Sequence, residues 1–421
     1  MPDDSAGRAR GHAAPDRAAS DHPRTDRPAQ GLATRLSHAG RAGTRVHGFV
    51  NPPVMRGSTV LYPSCAERKR LGAKRLEQEL IYGVLGGPTH HALEDVVAEI
   101  EGGTRCQIVS SGLAACTVPL LAYLSAGDHC LVPDTVYGPT RVFCDTMLRR
   151  LGVETAYYDP EVDGAGLAAL MRPNTRVVYL ESPGSHTFEM QDVPALSRAA
   201  HAGGAKVLMD NTWGIHFFQP FRHGVDVSIQ ALTKYVAGHS DVLLGSITVA
   251  GDEDWERVRL TALALGQYAS PDDCWLALRG ARTMAVRLER QMHSGLEVAR
   301  WFEGRPEVAQ VLHPALPGAP GHEIWKRDFT GACSLFGVMF QPGYSPAATQ
   351  AMIDSLELFG IGASWGGFES LVLPTTGFLT RTARNRDFPG PVARFHIGLE
   401  EPADLIADLE RGLAVLRAYA D

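Results

Sequence analysis

Residues 92–134 read ALEDVVAEIEGGTRCQIVSSGLAACTVPLLAYLSAGDHCLVPD. The opening residues place apolar groups at 93, 96, 97 and 100, the spacing of one helix face, and two glycines stop the pattern. RCQIVSS has the short, apolar character of a strand, GLAACTVPLLAYL is helical again, and HCLVPD is a second strand. Outward from here the alternation continues through PTRVFCDTMLRRLG (helix), ETAYYD and TRVVYLESP (strands), DVPALSRAAHAGG (helix), then AKVLMDN and VDVSIQAL (strands). Strands alternating with helices of this length imply a mostly parallel sheet covered on both faces. Such sheets bind ligands beyond the carboxyl ends of their strands. After about residue 270 the text becomes a long helical stretch, 271–303, with later strands near LFGVMFQ and VARFHIG. The expected organisation is a disordered tail (1–30), an extended arm (31–80), a large α/β domain (81–290) and a smaller C-terminal α+β domain (291–421).

At 421 residues, two or more packed domains are expected. A charged fraction of 21% and a hydrophobic fraction of 44% describe an ordinary soluble protein. A net charge of −7 and a pI near 6.1 offer no footprint for nucleic acid or an anionic membrane surface. The seven cysteines are scattered without a CxxC pair, which suits reduced thiols and offers no metal site. No apolar run reaches the length of a membrane span, and the first thirty residues lack the apolar centre of a signal peptide. The expected compartment is the cytoplasm.

Several strand ends carry polar groups: Ser110 and Ser111, Asp134, Ser182, Asp210 with Asn211, and Thr233 with Lys234. Lysine occurs only at 69, 74, 206, 234 and 326, although Lys and Arg together number 40. A lysine closing the strand VDVSIQAL is therefore either a side chain snorkelling to solvent or a desolvated amine able to form a Schiff base. Asp210 in MDNTW is either a turn residue or the acidic partner that a pyridinium electron sink requires. Gly112 and Leu113 in SSGLAA open a helix whose free amides suit a phosphate, and the Thr233 hydroxyl can join them. Tyr137 in DTVYGPT is a loop tyrosine or a ring stacked on a cofactor. Arg394, on an otherwise apolar strand, suits a substrate α-carboxylate.

These strand-end residues, in this order, resemble the Cys/Met-metabolism group of pyridoxal-phosphate enzymes, and within it the bacterial cystathionine β-lyases. The resemblance runs from about Asn51 to Leu416, through THHALEDVVAEIEGG, SSGLAA, GDHCLVPDTVYGPT, YLESPGS, MDNTW, HGVDVSIQALTKYVAGHSDVLLG, SWGGFESL and RFHIGLE. It implies a fold type I, transferase-like architecture whose α/β domain binds pyridoxal 5'-phosphate. It also implies a cofactor tethered to Lys234, Asp210 on the ring nitrogen, Tyr137 over the ring, and Gly112, Leu113 and Thr233 at the phosphate. Ser364 and Arg394 are implied at the substrate α-carboxylate, with Trp365 lining the pocket. The implied assembly is a homotetramer of dimers in which Tyr82 completes the neighbouring subunit's site, so Lys234, Tyr137 and Tyr82 are the expected catalytic residues.

One stretch departs from the family. Where the β-lyases carry Tyr-Gly-Arg-Arg, this chain reads YGVL, with Val84 and Leu85 in the arginine places. Arg56 and Arg141 are candidate substitutes for the missing cations. The expected activity is a β- or γ-eliminating lyase acting on an amino acid with a small, uncharged side chain, such as a cysteine S-conjugate or a halogenated or unsaturated amino acid. Orthodox cystathionine β-lyase and a non-catalytic scaffold are the competing readings.

Overall fold

The computed structural model describes residues 30–41, 48–383 and 388–419. The expected disordered tail falls outside the described residues, apart from residue 30. Within the arm lie a short helix (Leu32–His38) and a second (Cys65–Gly72).

The larger sheet contains β1 (Arg105–Val109), β2 (His129–Pro133), β3 (Glu154–Tyr158), β4 (Thr175–Glu181), β5 (Lys206–Asp210), β6 (Val227–Gln230) and β7 (Gly245–Val249). Their spatial order is β1-β7-β6-β5-β4-β2-β3. Strands β2 to β6 pair in parallel, whereas β7 returns antiparallel between β6 and β1. From β2 the chain moves outward to β3, then crosses back to β4 on the other side of β2. The strand order thus reverses between β2 and β4, and a crevice opens beyond their carboxyl ends.

Helix Pro88–Glu101 begins with proline at its first position and buries Leu93, Val96, Val97 and Ile100. It packs on β1 and on the long helix Pro271–Glu303, which runs unbroken across residue 290. The far half of that long helix carries the smaller sheet: β8 (Val308–Leu312), β9 (Leu335–Phe340), β10 (Gly360–Ile361), β11 (Leu371–Pro374) and β12 (Val392–His396), in the order β10-β11-β12-β9-β8. Phe302 at the helix end is fully buried, its ring 5.1 Å from Phe395 and 6.3 Å from Phe336 between centroids. These rings lock the helix to the smaller sheet. Truncating a buried phenylalanine costs about 3–5 kcal/mol. Phe302→Ala is expected to lower the urea midpoint of unfolding by a corresponding amount; a loss under about 1 kcal/mol would show that the site collapses around the cavity.

Candidate active site

Three parallel strands deliver the core of the site. Glu181 ends β4, Asp210 ends β5 directly beside it in register, and the chain leaving β6 turns through Ala231–Gly238. In that turn the Lys234 amide donates to the Ala231 carbonyl (3.0 Å), and the Gly238 amide to the Lys234 carbonyl (2.8 Å). Arg287 of the long helix holds the next carbonyl, Tyr235 O, at 2.9 Å. On the other side Gly366 approaches so closely that a Cβ there would lie 2.9 Å from the Lys234 carbonyl carbon. Its φ of +86° also favours glycine. The Lys234 backbone is thereby fixed from both sheets.

The Lys234 Nζ donates to Ser364 Oγ at 2.8 Å and lies 5.2 Å from the centre of the Trp365 ring. Burial, and secondly the charge of Arg394, push this amine down to about 8, while Asp210 opposes the shift. Asp210, half-buried, lies within electrostatic reach of it. Its Oδ1 accepts from the Thr212 amide (3.0 Å) and hydroxyl (2.6 Å), and Oδ2 faces the Cys116 thiol at 3.7 Å. Burial raises the Asp210 carboxyl above its ordinary value despite these donors. Arg394, on β12, directs Nη2 to the carbonyls of Ala363 (2.8 Å) and Ser364 (3.2 Å), and burial lowers its guanidinium to about 10.

These groups face one cavity of about 580 Å³. Its lining brings together Gly112, Leu113, Tyr137, Asp210, Thr233, Lys234, Trp365 and Arg394, with Ser364 reaching it through Lys234. Tyr82, Val84 and Leu85 lie outside this lining, in a short turn (Gly83–Leu85) capped by a Tyr82 that is 52% exposed. Neither candidate replacement cation is at the cavity. Arg141 is buried against Asp134 at 2.5 Å and over the Tyr157 ring, and Arg56 pairs with Asp272 in solvent. Sequence reasoning gave no role to Glu181, Cys116, Ser185, His186 or Thr212, all of which line the cavity or touch its carboxylates. YLESPGS did carry a signal, an acid closing a buried strand beside a serine.

The donor set fits pyridoxal phosphate. A half-buried carboxyl with no cation bonded to it suits a protonated ring nitrogen, which would supply the missing counter-charge. At the other end, Ser111 Oγ caps the helix Gly112–Tyr123 by accepting from Ala114, and the first-turn amides of Gly112 and Leu113 have no helical partner. A Cβ on Gly112 would fall 2.7 Å from Ala231 Cβ, so only glycine allows this helix start to approach the strand end. Thr233 Oγ1 already donates to the Leu244 carbonyl (3.1 Å) and accepts from its amide (3.0 Å).

Fold and site together define a fold type I pyridoxal-phosphate-dependent enzyme. Residues 33–414 match the family described as Cys/Met metabolism PLP-dependent enzyme, and the chain belongs to that family. It is 51% identical to a putative cystathionine beta-lyase of Rhizobium johnstonii, over 92% of this chain and 97% of that protein. It is 41% identical to cystathionine beta-lyase MetC of Escherichia coli, over 91% of this chain and 98% of that one. Among solved structures, cystathionine gamma-lyase from Lactobacillus plantarum, complexed with L-serine, superposes with a TM-score of 0.85 at 27% identity, covering 92% of this chain and all of that chain. The protein is an enzyme of the lyase class, and the scaffold reading is set aside.

The amine's depressed pKa has a measurable consequence. In cofactor-free protein, labelling of Lys234 by an amine-reactive reagent should rise with pH through a midpoint near 8, as the free base forms. Arg394→Gln removes a repelling cation and should move the midpoint up; Asp210→Asn removes an attracting anion and should move it down. Peptide mass mapping across a pH series reads both signs. A midpoint for Lys234 at the ordinary value of a lysine in water would contradict the burial argument.

Proposed function

We propose that the protein breaks the Cβ–S bond of an L-amino acid, in the manner of a cystathionine β-lyase, and prefers side chains without a charge at their far end. The observation that carries the preference is the cavity lining, where Arg394 is the one guanidinium among the described residues. That guanidinium is assigned to the α-carboxylate, which leaves a second carboxylate without a cation. Leu113, Leu243, Leu373, Phe378, Trp213 and Trp365 supply apolar wall instead.

Bound pyridoxal phosphate supplies the electron sink for a carbanion at Cα. Asp210 would hold the proton on the ring nitrogen, Tyr137 would cover the ring, and the amides of Gly112 and Leu113 with Thr233 would hold the phosphate. Arg394 and Ser364 fix the α-carboxylate, so that the Cα–H bond points at Lys234. Lys234 Nζ would take the Cα proton as its free base. Its lowered pKa makes the free base available near neutrality. Trp365 packs beside the amine and limits water there. The Cβ–S bond would break with its electron pair on sulfur, which departs as a thiol after taking up a proton, and the unsaturated amino acid left behind would react with one water to give a keto acid and ammonia.

We further propose a homotetramer of dimers in which Tyr82 reaches the neighbouring subunit's cofactor, with Val84 and Leu85 at the far end of its substrate. The exposure of Tyr82, and its position outside its own chain's cavity, support sharing. A cytoplasmic location fits the seven free cysteines. No described helix is long and apolar enough to cross a membrane.

A hydrogen bond to a charged group contributes about 1.5–3 kcal/mol, and a carboxylate buried without a partner costs several more. Losing both arginines is therefore expected to weaken cystathionine turnover by about a hundredfold or more relative to an uncharged analogue. Replacing Val84 and Leu85 together by arginine should move kcat/KM back towards cystathionine. Efficient cleavage of cystathionine by the unaltered protein, equal to that of every uncharged S-conjugate tested, would refute the preference.

Site sharing has its own test. Mixing inactive Tyr82→Ala protein with inactive Lys234→Ala protein under subunit exchange should restore part of the activity. No recovery in dimers shown to have exchanged would mean that each chain completes its site alone.

A further inference from the structure

We infer that Glu181 is a positioning residue: its carboxylate ties the Tyr137 backbone across the β2/β4 crevice and so sets the Tyr137 ring over the cofactor. The inference rests on the proposed place of Tyr137 above the ring.

The topology creates the need for such a tie. Strand order reverses between β2 and β4, so the segment leaving β2, which carries Tyr137, and the segment leaving β4 flank one crevice, where the Ser185 amide donates to the Thr135 carbonyl at 2.9 Å. Tyr137 sits where its own loop gives way to the short helix Gly138–Phe143, and no side chain caps that helix start. Its side chain remains 42% exposed, so packing alone does not hold the ring.

Glu181 adds a second tie, two residues further along, at Tyr137 itself. It is buried, Oε2 accepts from the Tyr137 amide at 2.8 Å, and Oε1 accepts from the Ser185 hydroxyl at 2.6 Å. The carboxylate therefore joins both loops at the cavity wall. The other flank of the Tyr137 loop is already pinned, because Asp134 bonds Arg141 and accepts from the amides of Thr382 and Ala383. Thr135 and Asp134 hold the segment before the ring, and the Glu181 bond is the one that reaches the Tyr137 amide. A buried carboxylate is a costly choice for a purely structural link, and a neutral acceptor would serve the Tyr137 amide as well. The link, on this reading, requires an acceptor of the right reach rather than a charge.

Cofactor affinity tests this without recourse to turnover. Apo-protein titrated with pyridoxal phosphate, followed by absorbance, gives the dissociation constant for each variant. Tyr137→Ala should weaken binding, and so should Glu181→Ala, by about tenfold or more. Glu181→Asp keeps the charge but is one methylene short of the Tyr137 amide, and it should behave like Glu181→Ala. It also carries the test if the alanine variant fails to fold. Glu181→Gln keeps an oxygen for the Tyr137 amide and an amino group that can donate to the Ser185 hydroxyl, so both loops stay joined and binding should remain within about threefold of the parent. In a Tyr137→Ala background, Glu181→Asp should cost less than about twofold, because the ring it positions is gone. An equal cost with and without Tyr137, or a Glu181→Gln variant as weak as Glu181→Asp, would overturn the inference. If Tyr137→Ala itself left the affinity unchanged, the failure would lie in the placement of Tyr137 over the ring, and the inference would fall with it.

Discussion

The Lys234 amine is withheld from water at the point where two sheets meet, and nearly every other feature of the site follows from that placement. A lysine in water carries its proton far above neutrality, whereas desolvation destabilises the cation and the adjacent guanidinium of Arg394 adds to the effect. The larger sheet contributes the lysine and the carboxyl of Asp210; the smaller one contributes Ser364, Trp365 and Arg394. Neither sheet alone encloses the amine. The docking of the smaller sheet through the long helix Pro271–Glu303, and through the close approach of Gly366 to Lys234, is thus a condition for the chemistry as well as for stability.

Charge within the cavity is divided by depth and by end. Two carboxyls, the buried Glu181 and the half-buried Asp210, lie side by side at the strand ends, with desolvation pushing both upward. Helix amides lie at one end, and the cations Lys234 and Arg394 face the substrate side. Such an arrangement distinguishes three chemical ends of a bound pair: a ring nitrogen, a phosphate and an amino-acid carboxylate. Among the described residues, Arg394 and Lys234 are the only lysine or arginine side chains in the cavity lining.

Helix Pro88–Glu101 and strands β1, β2, β4 and β5 were legible in the sequence because each is short, locally periodic and punctuated by glycine, proline or a polar strand end. The same local text says nothing about β7 (Gly245–Val249), which returns antiparallel into the sheet through pairings more than a hundred residues away at β1. Lys234, Asp210 and Arg394 stood out as polar groups on apolar strands, a contrast visible one residue at a time. Glu181 did not, since an acid before Ser-Pro-Gly looks like a turn residue until the fold brings the Tyr137 amide to it. Tyr82, Val84 and Leu85 were singled out only by resemblance, and within one chain they touch none of the groups they are assigned to serve.

Borohydride reduction of the protein as purified, followed by peptide mapping, tests the central assignment most directly. The cofactor should be fixed to one peptide, at Lys234. The alternatives are physically poor. Lys206 is held between Asp226 and Asp254, which favour its protonated form, and Lys326 is exposed on a surface helix. Label on either of those lysines, or no fixed cofactor in protein that binds pyridoxal phosphate, would contradict the placement of the reactive amine at the junction of the two sheets.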